Sequence, residues 1–167
     1  MDLPQRKPNR LPHFDYSTPG AYFITICTKQ KKCILGRVVG GGALDAPFVQ
    51  LSKYGQTADR YILSGNRIPG VIVDKYVIMP NHIHMILLVS NTTTGPSKAP
   101  APTNAVIPHF VSTLKRFCHQ DLEARIFQRS YHDHVIRSEA DYRKIWEYID
   151  TNPARWRDDC FYEEAAP

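Results

Sequence analysis

A chain of 167 residues with 43% hydrophobic, 11% aromatic and 22% charged side chains can bury roughly 70% of the surface that its unfolded form exposes, so its core needs no disulfide or metal staple. That balance excludes a disordered tail, a coiled coil and a collagen-like chain. The formal net charge of +5 is uneven: residues 1–37 hold seven Lys or Arg against two acids, residues 38–104 five against three, and residues 105–167 nine against eleven. The longest apolar-rich run, residues 71–89, is interrupted by Asp74, Lys75, Asn81, His82 and His84, which argues against a membrane span. Residues 1–10 carry Arg6, Lys7 and Arg10 and no apolar h-region, so no secretory signal and a cytoplasmic location are expected. Cys27, Cys33, Cys118 and Cys160 form no C-x-x-C pair, and reduced thiols are expected rather than a zinc ribbon.

Residues 21–28 (AYFITICT) are β-branched and aromatic and read as a buried strand. The turn Lys29-Gln30-Lys31-Lys32 leads to residues 33–39, which read as the hairpin partner of that strand. Residues 48–51 form a short strand, and Ser52 caps a helix to about Leu63 that Gly65 and Asn66 close. Two strands follow, residues 71–79 and 82–89, joined at Pro80-Asn81. The Thr-, Gly- and Pro-rich stretch 90–104 is too polar and broken to pack and reads as a mobile loop. Asn104 then caps an amphipathic helix to about Ala124, with Val106, Phe110, Leu114 and Phe117 on one face. Residues 127–136 read as a strand, and Ser138-Glu139-Ala140-Asp141 opens a last helix that Pro153 ends. The whole, residues 1–167, reads as one domain with a basic arm at 1–19. Its element order predicts an α+β sandwich, an antiparallel sheet with helices packed on one face.

Chemistry is concentrated at two places. In His82-Ile83-His84 the two imidazoles share one face of a strand, about 6.6–7 Å apart along the backbone, and can converge on one metal ion. A second pair, His132-Asp133-His134, has the same spacing, so spacing does not choose between them. The central Asp133 argues that this second pair is off a central strand. On the last helix Tyr142, Ile145, Trp146 and Ile149 form an apolar stripe. Tyr148 and Asn152 lie on its polar flank, one turn apart at about 5–6 Å. A phenol and an amide can thus face one metal ion together, and a half-buried helix tyrosine is the ordinary alternative.

The run YVIMPNHIHMILLV, the later run FQRSYHDHVIRSEADYRKIWEYIDTNP and the opening FDYSTPGAYFITICT together resemble the REP-associated tyrosine transposases. These are a branch of the single-tyrosine transposases that carry a His-hydrophobic-His motif. The resemblance implies a ferredoxin-like fold. It also implies metal binding by His82 and His84, Asn152 completing the metal site, and Tyr148 as nucleophile. Asp133, His134 and Arg137 match a D-H-x-I-R strand of structural or DNA-facing character. One departure is Phe110-Val111-Ser112, where relatives tend to carry F-K-S.

The activity so implied is cleavage and strand transfer of single-stranded DNA at palindromic hairpins, through a 5′-phosphotyrosine. A phenol of pKa near 10 is only about 0.1% ionised at neutral pH, so the expected cofactor is a divalent ion, Mg²⁺ or Mn²⁺, that offsets charge on the phosphate. Arg6, Lys7, Arg10, Lys29, Lys31 and Lys32, with Arg137, are the expected DNA contacts. A monomer is favoured over a homodimer. Two alternatives stay open: a hairpin DNA- or RNA-binding protein that does not cut, and a hydrolase that uses an activated water.

Overall fold

The computed structural model describes residues 18–42, 45–90 and 106–163. Arg6, Lys7, Arg10, nearly all of the expected loop at 90–104 and the expected Asn104 cap lie outside the described residues.

Strand β1 (Gly20–Cys27) enters the middle of a four-stranded sheet. The 3-10 turn Lys29–Lys31, with Gln30 and Lys31 at positive φ, then diverts the chain into β2 (Gly36–Val39) and β3 (Phe48–Leu51). Helix α1 (Lys53–Ser64) leads to β4 (Val71–Ile78) and β5 (His82–Val89). Helix α2 (Val106–Leu122), β6 (His132–Ile136) and helix α3 (Glu139–Thr151) follow. The sheet order is β4-β5-β1-β6, and every neighbouring pair is antiparallel. Strands β1 and β4 therefore run parallel with β5 between them. With α1 and α2 as connections this is the split βαβ arrangement of the ferredoxin-like fold.

The α+β class and the antiparallel sheet agree with the sequence reading, while the helices divide between the two faces. Ile24 and Ile26 of β1 and Ile83, Met85 and Leu87 of β5 pack with Ile62 of α1 and Ile107, Phe110 and Leu114 of α2. On the other face Ile86 meets Ile145 and Ile149 of α3, with Phe23, Val77 and Tyr142 around them. The alternation of side chains along a strand makes both faces of β1 and β5 apolar, and one pair of helices covers only one of them. Helix α1 crosses α2 closely because residue 65 is glycine: a Cβ there would overlap the Phe110 ring.

Two strand assignments differ. Residues 36–39 pair with β3 and not with β1, because both edges of β1 are already taken by β5 and β6. The strand expected at 127–136 is regular only from His132. Phe127 makes one isolated bridge to Thr28, and Lys115 Nζ draws the carbonyls of Gln128, Arg129 and Ser130 away from the ladder towards α2.

Helix ends follow the sequence more closely. The Ser52 side chain accepts from the N–H groups of Tyr54 and Gly55, as the N-cap reading requires. Ser138 accepts from Asp141 N, and the Asp141 carboxylate pairs with His134 Nε2 at 2.9 Å. Asn152 keeps helical angles, φ −56 and ψ −42, although Pro153 follows. Its side chain is therefore one full turn from Tyr148.

Candidate metal and nucleophile site

The site forms where the sheet face under α3 ends. In the β1–β5 ladder Thr25 stands opposite His84 and Cys27 opposite His82. The apolar Ile83 and Met85 point into the main core and hold the strand. His82 and His84 therefore project together from the other face, with ring centroids 4.3 Å apart. Both are buried, at 0% and 1% exposure.

Each imidazole is oriented through its Nδ1. Asn81 gives its amide nitrogen to the carbonyls of Lys31 (3.1 Å) and Phe161 (2.8 Å). Its Oδ1 is thereby left as the acceptor for His82 Nδ1–H at 2.8 Å. Thr25 Oγ1 holds His84 Nδ1 at 2.8 Å. The Nε2 atoms turn inward. His82 Nε2 is buried with no hydrogen-bond partner and lies 4.0 Å from Asp159 Oδ2.

Helix α3 and the segment after it supply the facing wall. Tyr148 donates its hydroxyl proton to Asp159 Oδ2 at 2.9 Å, and its oxygen is 3.2 Å from His84 Nε2. Asn152 Nδ2 donates to the same carboxylate oxygen at 2.8 Å, while Asn152 Oδ1 is buried without a partner. The Phe161 backbone N–H donates to Asp159 Oδ1 at 2.7 Å. Phe161 and Trp156 cover His82, with ring centroids 4.7 and 5.9 Å away.

This arrangement fits a cation. A lone pair on His82 Nε2 facing a carboxylate oxygen at 4.0 Å is unfavourable in a dry site unless positive charge lies between them. The ligand atoms of His82, His84 and Asp159 all lie within 4.8 Å of one another, a nitrogen and oxygen set that zinc, manganese and magnesium share. Burial lowers the His82 pKa to about 4, and burial together with neighbouring His82 takes His84 well below its usual value. Both rings are thus neutral at pH 7, the form that ligates. Burial works to raise the Asp159 pKa, but the hydrogen bonds from Phe161 N–H and Asn152 and the nearby His82 hold it below the usual carboxylate value. Burial first, then the Asp159 hydrogen bond, pushes Tyr148 above the ordinary phenol value. The phenol is therefore protonated as it stands.

No protein-family model matches the chain. A protein of Haemophilus influenzae, described only as uncharacterized, is 31% identical over 173 residues, covering 94% of this chain and 93% of that protein. The chain belongs to the same family. A REP-associated tyrosine transposase solved bound to a REP hairpin superposes with a TM-score of 0.61 at 18% identity, over 90% of this chain and 74% of that one. This likeness shows the fold, and it is the one expected from the sequence motifs.

His82, His84, Tyr148 and Asn152, singled out in the sequence, thus lie together in one cluster. Asp159, which joins them, was not singled out. It lies seven residues beyond Asn152, past Pro153, where no helical or strand period applies. The second histidine pair sits on edge strand β6 with both rings exposed, His134 paired to Asp141. Of the expected DNA contacts, Lys29, Lys31 and Lys32 follow β1 at the His82 end, and Lys31 is tied there through its carbonyl and Asn81. Arg137 follows Ile136, which pairs with Ala21 at the other end of β1. The fold does not bring it to the histidines. Among the described residues no helix is long and apolar enough to cross a membrane.

Proposed function

We propose that this protein is a metal-dependent DNA-strand transferase, with Tyr148 as nucleophile, acting on single-stranded DNA at hairpins. The observation that carries this reading is the placing of the Tyr148 hydroxyl 3.2 Å from His84 Nε2 and 2.9 Å from Asp159 Oδ2. It stands there beside a His82 Nε2 that has no partner. A core tyrosine has no need of two neutral imidazoles and a carboxylate at its tip. His82, His84 and Asp159 are the residues that would hold a divalent ion, with the unpartnered Asn152 Oδ1 as a further donor nearby.

Such an ion, Mg²⁺ or Mn²⁺, supplies positive charge for a phosphate oxygen whose negative charge grows as the bond forms. Helix α3 holds the Tyr148 oxygen beside His84 Nε2 and Asp159 Oδ2, two of the groups that would hold the ion. Asp159 Oδ2 already accepts the phenol O–H hydrogen bond and is the group placed to take the proton as the oxygen attacks phosphorus. The phosphorus–oxygen bond to the leaving strand breaks, that strand departs with a 3′-hydroxyl, and the DNA 5′-phosphate stays on Tyr148. One phosphodiester replaces another, so the reverse attack by a 3′-hydroxyl rejoins strands without a nucleotide cofactor.

The test is a covalent adduct between the protein and a single-stranded hairpin oligonucleotide in Mg²⁺ or Mn²⁺. Tyr148→Phe is expected to abolish it, and cleavage undiminished in that variant would refute the assignment. A second reading, a hairpin DNA- or RNA-binding protein that does not cut, is favoured by one observation: both histidines are closed over by Phe161 and Trp156. It predicts binding with no adduct in any metal.

A further inference from the structure

On the face of the sheet away from the histidines, α2 and residues 125–131 enclose a half-open cleft of about 840 Å³. Its walls carry Lys29, Lys115, Arg116, Arg125 and Arg129, and no Asp or Glu. Four of these five cations come from residues 105–167, where acids outnumber bases eleven to nine. The fold has therefore gathered positive charge on one side of an acidic stretch. Among the described residues none of the five has a carboxylate within 4.0 Å.

Lys115 shapes the cleft. Its Nζ donates to the carbonyls of Gln128 (2.9 Å), Arg129 (3.3 Å) and Ser130 (2.9 Å). These bonds clamp the loop to α2 and leave the ammonium charge without a counter-ion. Lys29, Arg116, Arg125 and Arg129 are exposed. An acid-free concave surface of this kind focuses positive potential. A small anion is usually held by a few buried, converging donors, whereas exposed arginines spread over two elements suit the regularly spaced phosphates of a nucleic-acid backbone.

We propose that this cleft is a second nucleic-acid contact, holding backbone phosphates of the part of the substrate that lies away from the reacting strand. The inference rests on the DNA-handling reading for the identity of the polymer and not on the cleavage chemistry. Lys29 joins the two regions, since it follows Thr28, whose N–H donates to the Asn81 carbonyl beside His82, and also lines the cleft.

The experiment is fluorescence anisotropy of a labelled hairpin oligonucleotide with the full chain at 50 and 200 mM salt, comparing wild type with Arg116→Gln/Arg125→Gln/Arg129→Gln. Each phosphate contact adds about 0.7–0.9 to the slope of log K against log salt. Losing three such contacts is expected to shrink the salt-induced drop in affinity by about 20- to 40-fold. A control, Arg37→Gln/Lys53→Gln/Arg67→Gln, removes equal charge from elsewhere on the surface and is expected to keep the wild-type slope. A wild-type slope in the cleft triple, or equal flattening by both triples, would overturn the proposal. So would saturable binding of inorganic phosphate to the cleft with DNA binding unmoved by the triple. Should the triple variant melt early, Arg129→Glu alone is expected to move the slope in the same direction. If wild type forms no tyrosine adduct, the cleavage reading fails while the salt slopes still decide the cleft.

Discussion

Acidification from pH 7.5 to 5.0 is expected to weaken the fold chiefly through the buried histidines. In the unfolded chain His82 takes up a proton near pH 6.5, while in the folded protein burial holds it neutral down to about pH 4. Between those values the unfolded state binds more protons, so stability falls as pH falls through the window. For a pKa of 6.5 unfolded and about 4 folded, the loss at pH 5.0 is about 2 kcal/mol from His82 alone. His84, lowered in the same direction by burial and by His82, adds to it. The assay is urea denaturation at pH 7.5, 6.0 and 5.0 on wild type and His82→Gln. The variant is less stable at pH 7.5, but its loss on acidification is smaller by about 2 kcal/mol. Parallel pH dependences in the two proteins would refute the claim that His82 is held neutral by its surroundings.

The remaining predictions concern the carboxylate and the basic arm. Asp159→Ala leaves the Tyr148 hydroxyl, the Asn152 amide and the Phe161 N–H without their shared acceptor. At about 1 kcal/mol per lost bond, a loss of about 3 kcal/mol is expected. Mn²⁺ should raise the melting temperature of wild type and not of this variant, and an equal rise in both would remove Asp159 from the metal set. Deleting residues 1–10 removes Arg6, Lys7 and Arg10 and is expected to reduce the salt slope of DNA binding by up to about 2. An unchanged slope would show that the arm touches no phosphate.

Much of the site was legible because its residues obey periods. His82 and His84 share a face through the two-residue strand repeat, and Tyr148 and Asn152 through the helical turn. The two His-x-His pairs, which spacing alone does not distinguish, differ in their place in the sheet. Ile83 is fully buried between two helices and the central strands, whereas β6 is an edge and Asp133 flanks exposed rings. Asp159 escaped because it acts from irregular chain, where position depends on the backbone N–H of Phe161 and on Asn152 rather than on a repeat. The partner of residues 36–39 escaped for a related reason. Strand propensity marks a strand but says nothing of which edges its neighbours have already filled.

The division of the helices between two faces explains how a polar cluster of this kind persists. Burying two imidazoles, a carboxylate and an amide together costs stability unless every polar atom is answered, and here His82 Nε2 and Asn152 Oδ1 are not. The face under α1 and α2 carries the larger apolar cluster, with Gly65 packed directly against the Phe110 ring. Among the described residues the face under α3 carries Ile86, Ile145 and Ile149 as its buried apolar anchors before it gives way to the histidines. Stability is therefore concentrated away from the site, and α3 is tied to the sheet through polar contacts such as Lys75 with Asp150 at 2.6 Å. A cation between His82, His84 and Asp159 would answer the unmatched atoms and bind α3, its following segment and β5 into one unit. On this reasoning such an ion would stabilise the second face as well as serve the proposed chemistry.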